Sequence, residues 1–207
     1  HGIVGAQVPI GTGIAFTHKY NGDKNICRTY IGDGAMNNGQ VFEAFNLAAL
    51  WNLPVLYIIE NNKYGMGTAV DRAAAGSELY KRGEAFGIKG EIIDGMNVYS
   101  VIKAAEKAGE YVRSGKGPYI LEAQTYRYRG HSMSDPAKYR TKAELEEYKN
   151  SDPIEIVREE ILKKKIASKD ELEKINKEII EEIKSAADFA LASNFPSNEE
   201  LYTDVYI

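Results

Sequence analysis

The segment "ICRTYIGDGAMNNGQVFEAFNLAALWNLPVLYIIENN", residues 26–62, sets two short apolar runs on either side of a longer one. The outer runs, ICRTYIG (26–32) and PVLYIIEN (54–61), are rich in the β-branched and aromatic residues that suit a pleated strand. The middle run, from about Gly39 to Leu50, is helix-length and carries Val41, Phe42, Phe45, Leu47, Ala48 and Leu50 on nearly every side. Such a helix is expected to be buried between a sheet and other helices. Strand, helix, strand is a βαβ unit, whose two strands must run parallel. Between the first strand and the helix lies Gly32-Asp33-Gly34-Ala35, where bare backbone N–H groups beside a helix N-terminus form an anion site suited to a diphosphate.

Asp33 has the wrong charge for that role alone. A carboxylate beside a diphosphate is repelled unless a divalent cation lies between them, and magnesium takes oxygen ligands of this kind. Asn61-Asn62 closes the second strand, one βα step away, and can supply an amide oxygen. Two nucleotide motifs compete for the same position. Neither fits, because no G-x-G-x-x-G follows the first strand and no Gly-Lys-Ser/Thr occurs.

Outward from this unit, residues 3–20 read as a helix rich in Gly and Ala with Pro9 inside it, closed by YNGDKN. Its glycines cost helix stability, and the expected return is close approach of another backbone, a subunit contact being one option. A polar segment follows the unit over 62–84; GIKGEIIDG then makes a third strand, and Asn97 caps a helix with Val98, Val101, Ile102 and Ala105 on one face. GPYILEAQTY (117–126) is the fourth strand. The fold class is therefore α/β, a parallel sheet covered by helices, with ligands at the C-terminal strand ends. Asp152-Pro153 starts a further helix bearing Ile154, Val157 and Ile161. A second follows the capping box Ser168-x-x-Glu171, with Leu172, Ile175, Ile179 and Ile183 in one stripe. We divide the chain into an α/β binding domain over 1–140 and a helical extension over 141–207 packed on it.

The chain has 207 residues, 43% of them apolar, and a formal charge of −4, which opposes a general electrostatic footprint for nucleic acid. Its longest apolar run, Leu53 to Ile59, is far below the roughly 20 residues of a membrane span, so a soluble protein is expected. Cys27, the single cysteine, excludes an internal disulfide and reads as a packed thiol. The chain opens at His1, without a methionine and inside GIVGAQVP, so a missing N-terminal part is expected.

The segments "GIVGAQVP", "GDGAMNNGQVFEAFNLAALW", "ENNKYGMGT" and "TYRYRGHSMSDP" together resemble the alpha subunits of the pyruvate dehydrogenase component of 2-oxo acid dehydrogenase complexes, over essentially the whole chain. The resemblance implies a thiamine diphosphate-binding fold with magnesium held by Asp33, Asn62 and the backbone oxygen of Tyr64. It implies that Gly34 and Ala35 meet the diphosphate and that Gly2 and Val4 offer backbone contacts to the aminopyrimidine. It also makes TYRYRGHSMSDPAKYR (125–140) the active-site loop. There Arg127 faces the cofactor, and His131 serves both as a cofactor contact and as the catalytic group passing the acyl unit to a lipoyl group. Composition alone reads that loop as a solvated basic segment with Arg127, Arg129 and Arg140.

The implied activity is oxidative decarboxylation of pyruvate with acetyl transfer to lipoyl-lysine. The implied partners are a beta subunit in an α₂β₂ assembly, pyruvate and the lipoyl domain of dihydrolipoyl acetyltransferase, with no nucleic acid and no membrane. The location implied is the cytoplasm in a bacterium or the mitochondrial matrix in a eukaryote. Acetoin or a branched-chain 2-oxo acid stays open as the substrate, as does a non-catalytic assembly role. We find no Glu or Asp in apolar surroundings to activate the cofactor, and the resemblance implies that the beta subunit supplies it.

Overall fold

The computed structural model describes residues 2–205, and the chain divides into two compact units between Pro153 and Ile154. The first unit is built on helix α1 (Gln7–Asn21), strand β1 (Cys27–Gly32), a 3-10 turn (Ala35–Asn37), α2 (Gly39–Leu50) and β2 (Val55–Asn61). A two-residue hairpin follows, β3 (Tyr64–Gly65) with β4 (Thr68–Ala69), then α3 (Val70–Ala73) and a 3-10 helix (Leu79–Phe86). It continues through β5 (Lys89–Asp94), α4 (Val98–Arg113), β6 (Tyr119–Gln124) and α5 (Lys142–Lys149). The expected βαβ unit is present, and the four strands β1-β2-β6-β5 form one parallel sheet.

Alternation along β2 sends Val55, Tyr57 and Ile59 to a core shared with α1, α2 and the 3-10 helix 79–86. Leu56 and Ile58 point the other way, into a second core with α4. Two-sided burial explains why β2 reads as an unbroken apolar run. β1 lies at the sheet edge and alternates, so Arg28 and Tyr30 stay exposed. Cys27 is a buried free thiol in this strand, as expected.

Helix α1 starts at Gln7 rather than residue 3. Pro9 thereby falls in the first turn, where its missing N–H costs nothing. The close approach expected of its glycines is made within the chain: a Cβ on Gly11 would lie 1.9 Å from Thr29 Oγ1 of β1. Two buried faces differ from the sequence reading. α2 buries Val41, Ala44, Phe45 and Ala48 but leaves Leu47 and Leu50 exposed. α4, capped by the Asn97 side chain as expected, turns Ala104, Ala108, Gly109 and Val112 inward and exposes Val98 and Ile102. Small residues let that helix lie close to the sheet, so packing selects size over apolar bulk.

The second unit, considered by itself, contains α6 (Pro153–Lys163) from its second residue onward, α7 (Lys169–Ala192) and a 3-10 helix (Asn198–Tyr202). The capping box forms: Ser168 Oγ accepts the Glu171 N–H, and the Glu171 carboxylate accepts the Ser168 N–H. Ile175, Ile179 and Ile183 keep their stripe, and each is more than half exposed.

Candidate cofactor site

Parallel pairing sets the site. Gly32 lies opposite Glu60, and Asn61 lies opposite Gln124, so the segments after β1, β2 and β6 leave the sheet at the same edge. The Thr125 N–H donates to the Asn61 carbonyl at 2.9 Å and carries the ladder one step further. The Gly-Asp-Gly hinge and the hairpin then close on one another: a Cβ on Gly34 would stand 3.0 Å from the Gly65 Cα. That contact requires glycine at Gly34. α2 begins only at Gly39, so the 3-10 turn Ala35–Asn37, rather than the α2 N-terminus, directly follows the hinge.

Asp33 is turned inward and only 2% exposed. Its Oδ2 is buried with no hydrogen-bond partner among the described residues. Burial pushes its carboxyl above the usual range, opposed by backbone N–H groups, that of Asn62 among them, and by the charges of Arg127 and Lys63. A buried carboxylate oxygen without a donor is costly unless a cation completes it. In the turn after β2, Asn62 Oδ1 accepts from the Tyr64 N–H at 3.3 Å and from Arg127 Nη1 at 3.3 Å. The same Arg127 nitrogen donates to the Tyr64 carbonyl at 3.1 Å. A positive group thus already lies on two of the three oxygens expected to hold a metal. One carboxylate, one amide oxygen and one carbonyl make an oxygen-only set, which fits a hard divalent cation such as magnesium.

Arg127 Nη2 also donates to the Met66 carbonyl at 2.7 Å and to the Tyr139 hydroxyl at 3.2 Å, so the guanidinium clasps the hairpin to the loop 125–140. Asp135 organises that loop. It accepts the His131 N–H at 2.7 Å, the Ala137 N–H at 2.8 Å and the Tyr139 hydroxyl at 2.9 Å. The two backbone donors hold its carboxyl below the usual range. The His131 side chain is exposed. Gly130 is tightly packed, since a Cβ there would lie 2.3 Å from the Asp135 carbonyl oxygen. The loop is therefore closed on itself at His131 rather than hinged there.

Of the two residues expected at the aminopyrimidine, Val4 gives its carbonyl to Gln40 Nε2 at the start of α2, at 3.0 Å, and Gly2 is exposed. His1 lies outside the described residues.

Three residues escaped the sequence reading. Arg82 donates to the Met36 carbonyl at 2.9 Å and to Asn37 Oδ1 at 3.0 Å, bracing the turn after Asp33. Glu144 accepts from the hydroxyls of Tyr64 and Tyr126, each at 2.9 Å, and so joins the turn after β2 to the start of the His131 loop. Thr141-x-x-Glu144 has capping-box spacing, a signal that was present. Thr141 does cap α5, but the glutamate side chain reaches the tyrosines. Glu122 is the third. It is a carboxylate in apolar surroundings, 0% exposed, with hydrogen bonds on both oxygens. Its signal was a glutamate inside the apolar run YILEA.

A family model described as "Dehydrogenase E1 component" matches residues 1–199. Over the whole chain the sequence is 58% identical to the pyruvate dehydrogenase E1 component subunit alpha of Rickettsia felis, of which it covers 63%. It is 54% identical to the protein of that name from Rhizobium meliloti, covering 60% of it. Against the somatic mitochondrial form of the subunit from Bos taurus the identity is 52%, over 53% of that protein. The chain thus spans less than two thirds of the length of these curated relatives. With the family model matching nearly from end to end, and these identities extending over every part of the chain, it belongs to the dehydrogenase E1 component family.

Proposed function

We propose that this chain forms the cofactor-binding part of the alpha subunit of a thiamine diphosphate-dependent pyruvate dehydrogenase. The reaction is oxidative decarboxylation of pyruvate with transfer of the acetyl group to lipoyl-lysine. The single observation that carries the reading is Asp33 Oδ2, orphaned among the described residues, in a hinge that packs at Gly34 against Gly65 of the turn whose Asn62 Oδ1 and Tyr64 carbonyl share one Arg127 nitrogen. In this reading those three oxygens hold magnesium, and the backbone at Gly34 and Ala35 meets the diphosphate. Gly2 and Val4 border the aminopyrimidine. Arg127 balances negative charge at the cradle. Thiamine diphosphate, when bound, supplies the electron sink for decarboxylation.

The chain's own residues then orient the cofactor and manage protons. His131, exposed on a loop that Asp135 closes, is placed to give or take a proton near an incoming lipoyl sulfur. Glu122 has both oxygens engaged by N–H donors, so the carboxylate that activates the cofactor comes from a beta subunit in an α₂β₂ assembly. Residues 1–140 carry the expected ligands, Glu144 of the following helix braces them, and the chain beyond is helical. The relatives come from bacteria and from a mitochondrion, and no described helix is long and apolar enough to cross a membrane. We place the enzyme in the cytoplasm of a bacterium or in a mitochondrial matrix.

The test is acetylation of a free lipoyl domain by the full-length subunit with its beta partner, using pyruvate, acetoin and a branched-chain 2-oxo acid. Pyruvate should be preferred. His131→Ala should impair acetylation far more than decarboxylation read with an artificial electron acceptor. Preference for another substrate would move the enzyme to a different 2-oxo acid, and equal loss in both assays would remove the acyl-transfer role from His131.

A further inference from the structure

Glu122 sits at the middle of β6 with no exposure to solvent, and three N–H donors converge on its carboxylate. Its Oε1 accepts from Asn61 Nδ2 and Gln124 Nε2, each at 2.7 Å; its Oε2 accepts from the backbone N–H of Tyr80 at 2.9 Å. The contacts lead toward the cradle by two routes.

The first route is the turn after β2. A carboxylate can only accept, so Asn61 must present its NH₂ to Glu122 and keep its Oδ1 free on the other side. That Oδ1 accepts the Lys63 N–H at 3.2 Å. The chain bends there: Lys63 takes a φ of 74°, which a lysine adopts only when its surroundings compel it. The bend sets Asn62 Oδ1 and the Tyr64 carbonyl side by side on one Arg127 nitrogen. Gln124, the third donor, also holds the Lys63 ammonium through its Oε1.

The second route runs through the 3-10 helix 79–86. Its second residue, Tyr80, is anchored on Glu122, and Arg82 in the same helix grips Met36 and Asn37, in the turn that immediately follows Asp33. One buried carboxylate therefore braces the segment bearing two of the oxygens and the segment bearing the third.

We propose that Glu122 is a positioning residue for the divalent cation, holding the oxygens of Asp33, Asn62 and Tyr64 in mutual register through Asn61 on one side and Tyr80–Arg82 on the other. The inference rests on the magnesium reading of the cradle. Glutamine at this position is nearly isosteric but cannot serve three donors. With its oxygen toward Asn61 and Gln124, its NH₂ faces the Tyr80 N–H; with its oxygen toward Tyr80, Asn61 must flip and release Lys63. In either case one bracing route is lost while the core keeps its volume.

Magnesium demands near-ideal octahedral geometry, whereas calcium tolerates a looser and larger shell, so mispositioned oxygens penalise the two ions unequally. The experiment is calorimetric titration of Mg²⁺ and of Ca²⁺ into the full-length subunit with its beta partner, at saturating thiamine diphosphate. Glu122→Gln should weaken Mg²⁺ binding at least about tenfold, in line with substitutions behind metal ligands, and change Ca²⁺ binding by less than about threefold. Asn61→Ser cuts the first route alone and gives a second variant should Glu122→Gln not fold; it should show the same selective loss. Wild-type Mg²⁺ affinity in both variants would overturn the proposal, as would equal losses for the two ions, the mark of a general structural role. A wild-type protein that binds no Mg²⁺ with the cofactor would instead overturn the magnesium reading on which the inference rests.

Discussion

Asp33 keeps one carboxylate oxygen buried without a donor among the described residues, an arrangement that costs folding free energy. Because burial raises its pKa in the folded state, the folded chain binds this proton more tightly than the unfolded chain does. Stability from this group is therefore present below the ordinary carboxylate range and is lost as the pH rises through the raised value. Asn cannot ionise. In a metal chelator, Asp33→Asn should be more stable than wild type near neutral pH, by on the order of 1 kcal/mol, and the difference should close below about pH 4. Urea unfolding at the two pH values checks this. A wild type that is the more stable of the two in chelator at neutral pH would mean that some group already compensates the charge.

At the level of elements, the cradle depends on α5, although α5 contributes no expected ligand. Glu144 accepts both the Tyr64 and the Tyr126 hydroxyls, and the Tyr148 ring stacks on Tyr126 at 3.9 Å between centroids. Burial, and then the Glu144 hydrogen bond, push the Tyr64 hydroxyl up to about 12. Glu144→Ala leaves two phenols without their acceptor, at a cost of about 1–3 kcal/mol, and releases the loop 125–140 from the turn at Tyr64. Trypsin cleavage after the exposed Arg129 should then accelerate severalfold while cleavage elsewhere keeps its rate; unchanged cleavage would show that Asp135 and Arg127 hold the loop unaided. The elements most legible in the sequence were those specified by local pattern. α2 begins and ends where its apolar run does, and the Asn97 and Ser168 caps form as written. The buried face of α4 was not legible, because the sheet selected its alanines and Gly109 over its larger apolar residues. Nor was the role of Glu122, Glu144 or Arg82. Their partners come from segments far away in sequence, and no periodicity encodes a hydrogen bond that only the fold brings within reach.

In the first unit the parallel sheet brings three strand ends to one edge, and each end contributes a different part of the cradle: Asp33 after β1, Asn62 and Tyr64 after β2, and Arg127 with the His131 loop after β6. The hinge and the spacing to Asn61-Asn62 were readable because they are short and lie within one βαβ unit. Their joining to Arg127 required the strand order. In the function proposed above, this edge holds a diphosphate through a cation anchored on Asp33. Calorimetry with the full-length subunit and its beta partner tests it most directly, titrating thiamine diphosphate with Mg²⁺ and again in chelator, for wild type and for Asp33→Asn. We predict that chelation weakens wild-type binding at least about tenfold, and that Asp33→Asn binds as weakly with Mg²⁺ as wild type does without it. Wild-type affinity that ignores Mg²⁺, or an Asp33→Asn variant that retains full Mg²⁺-dependent affinity, would contradict the account.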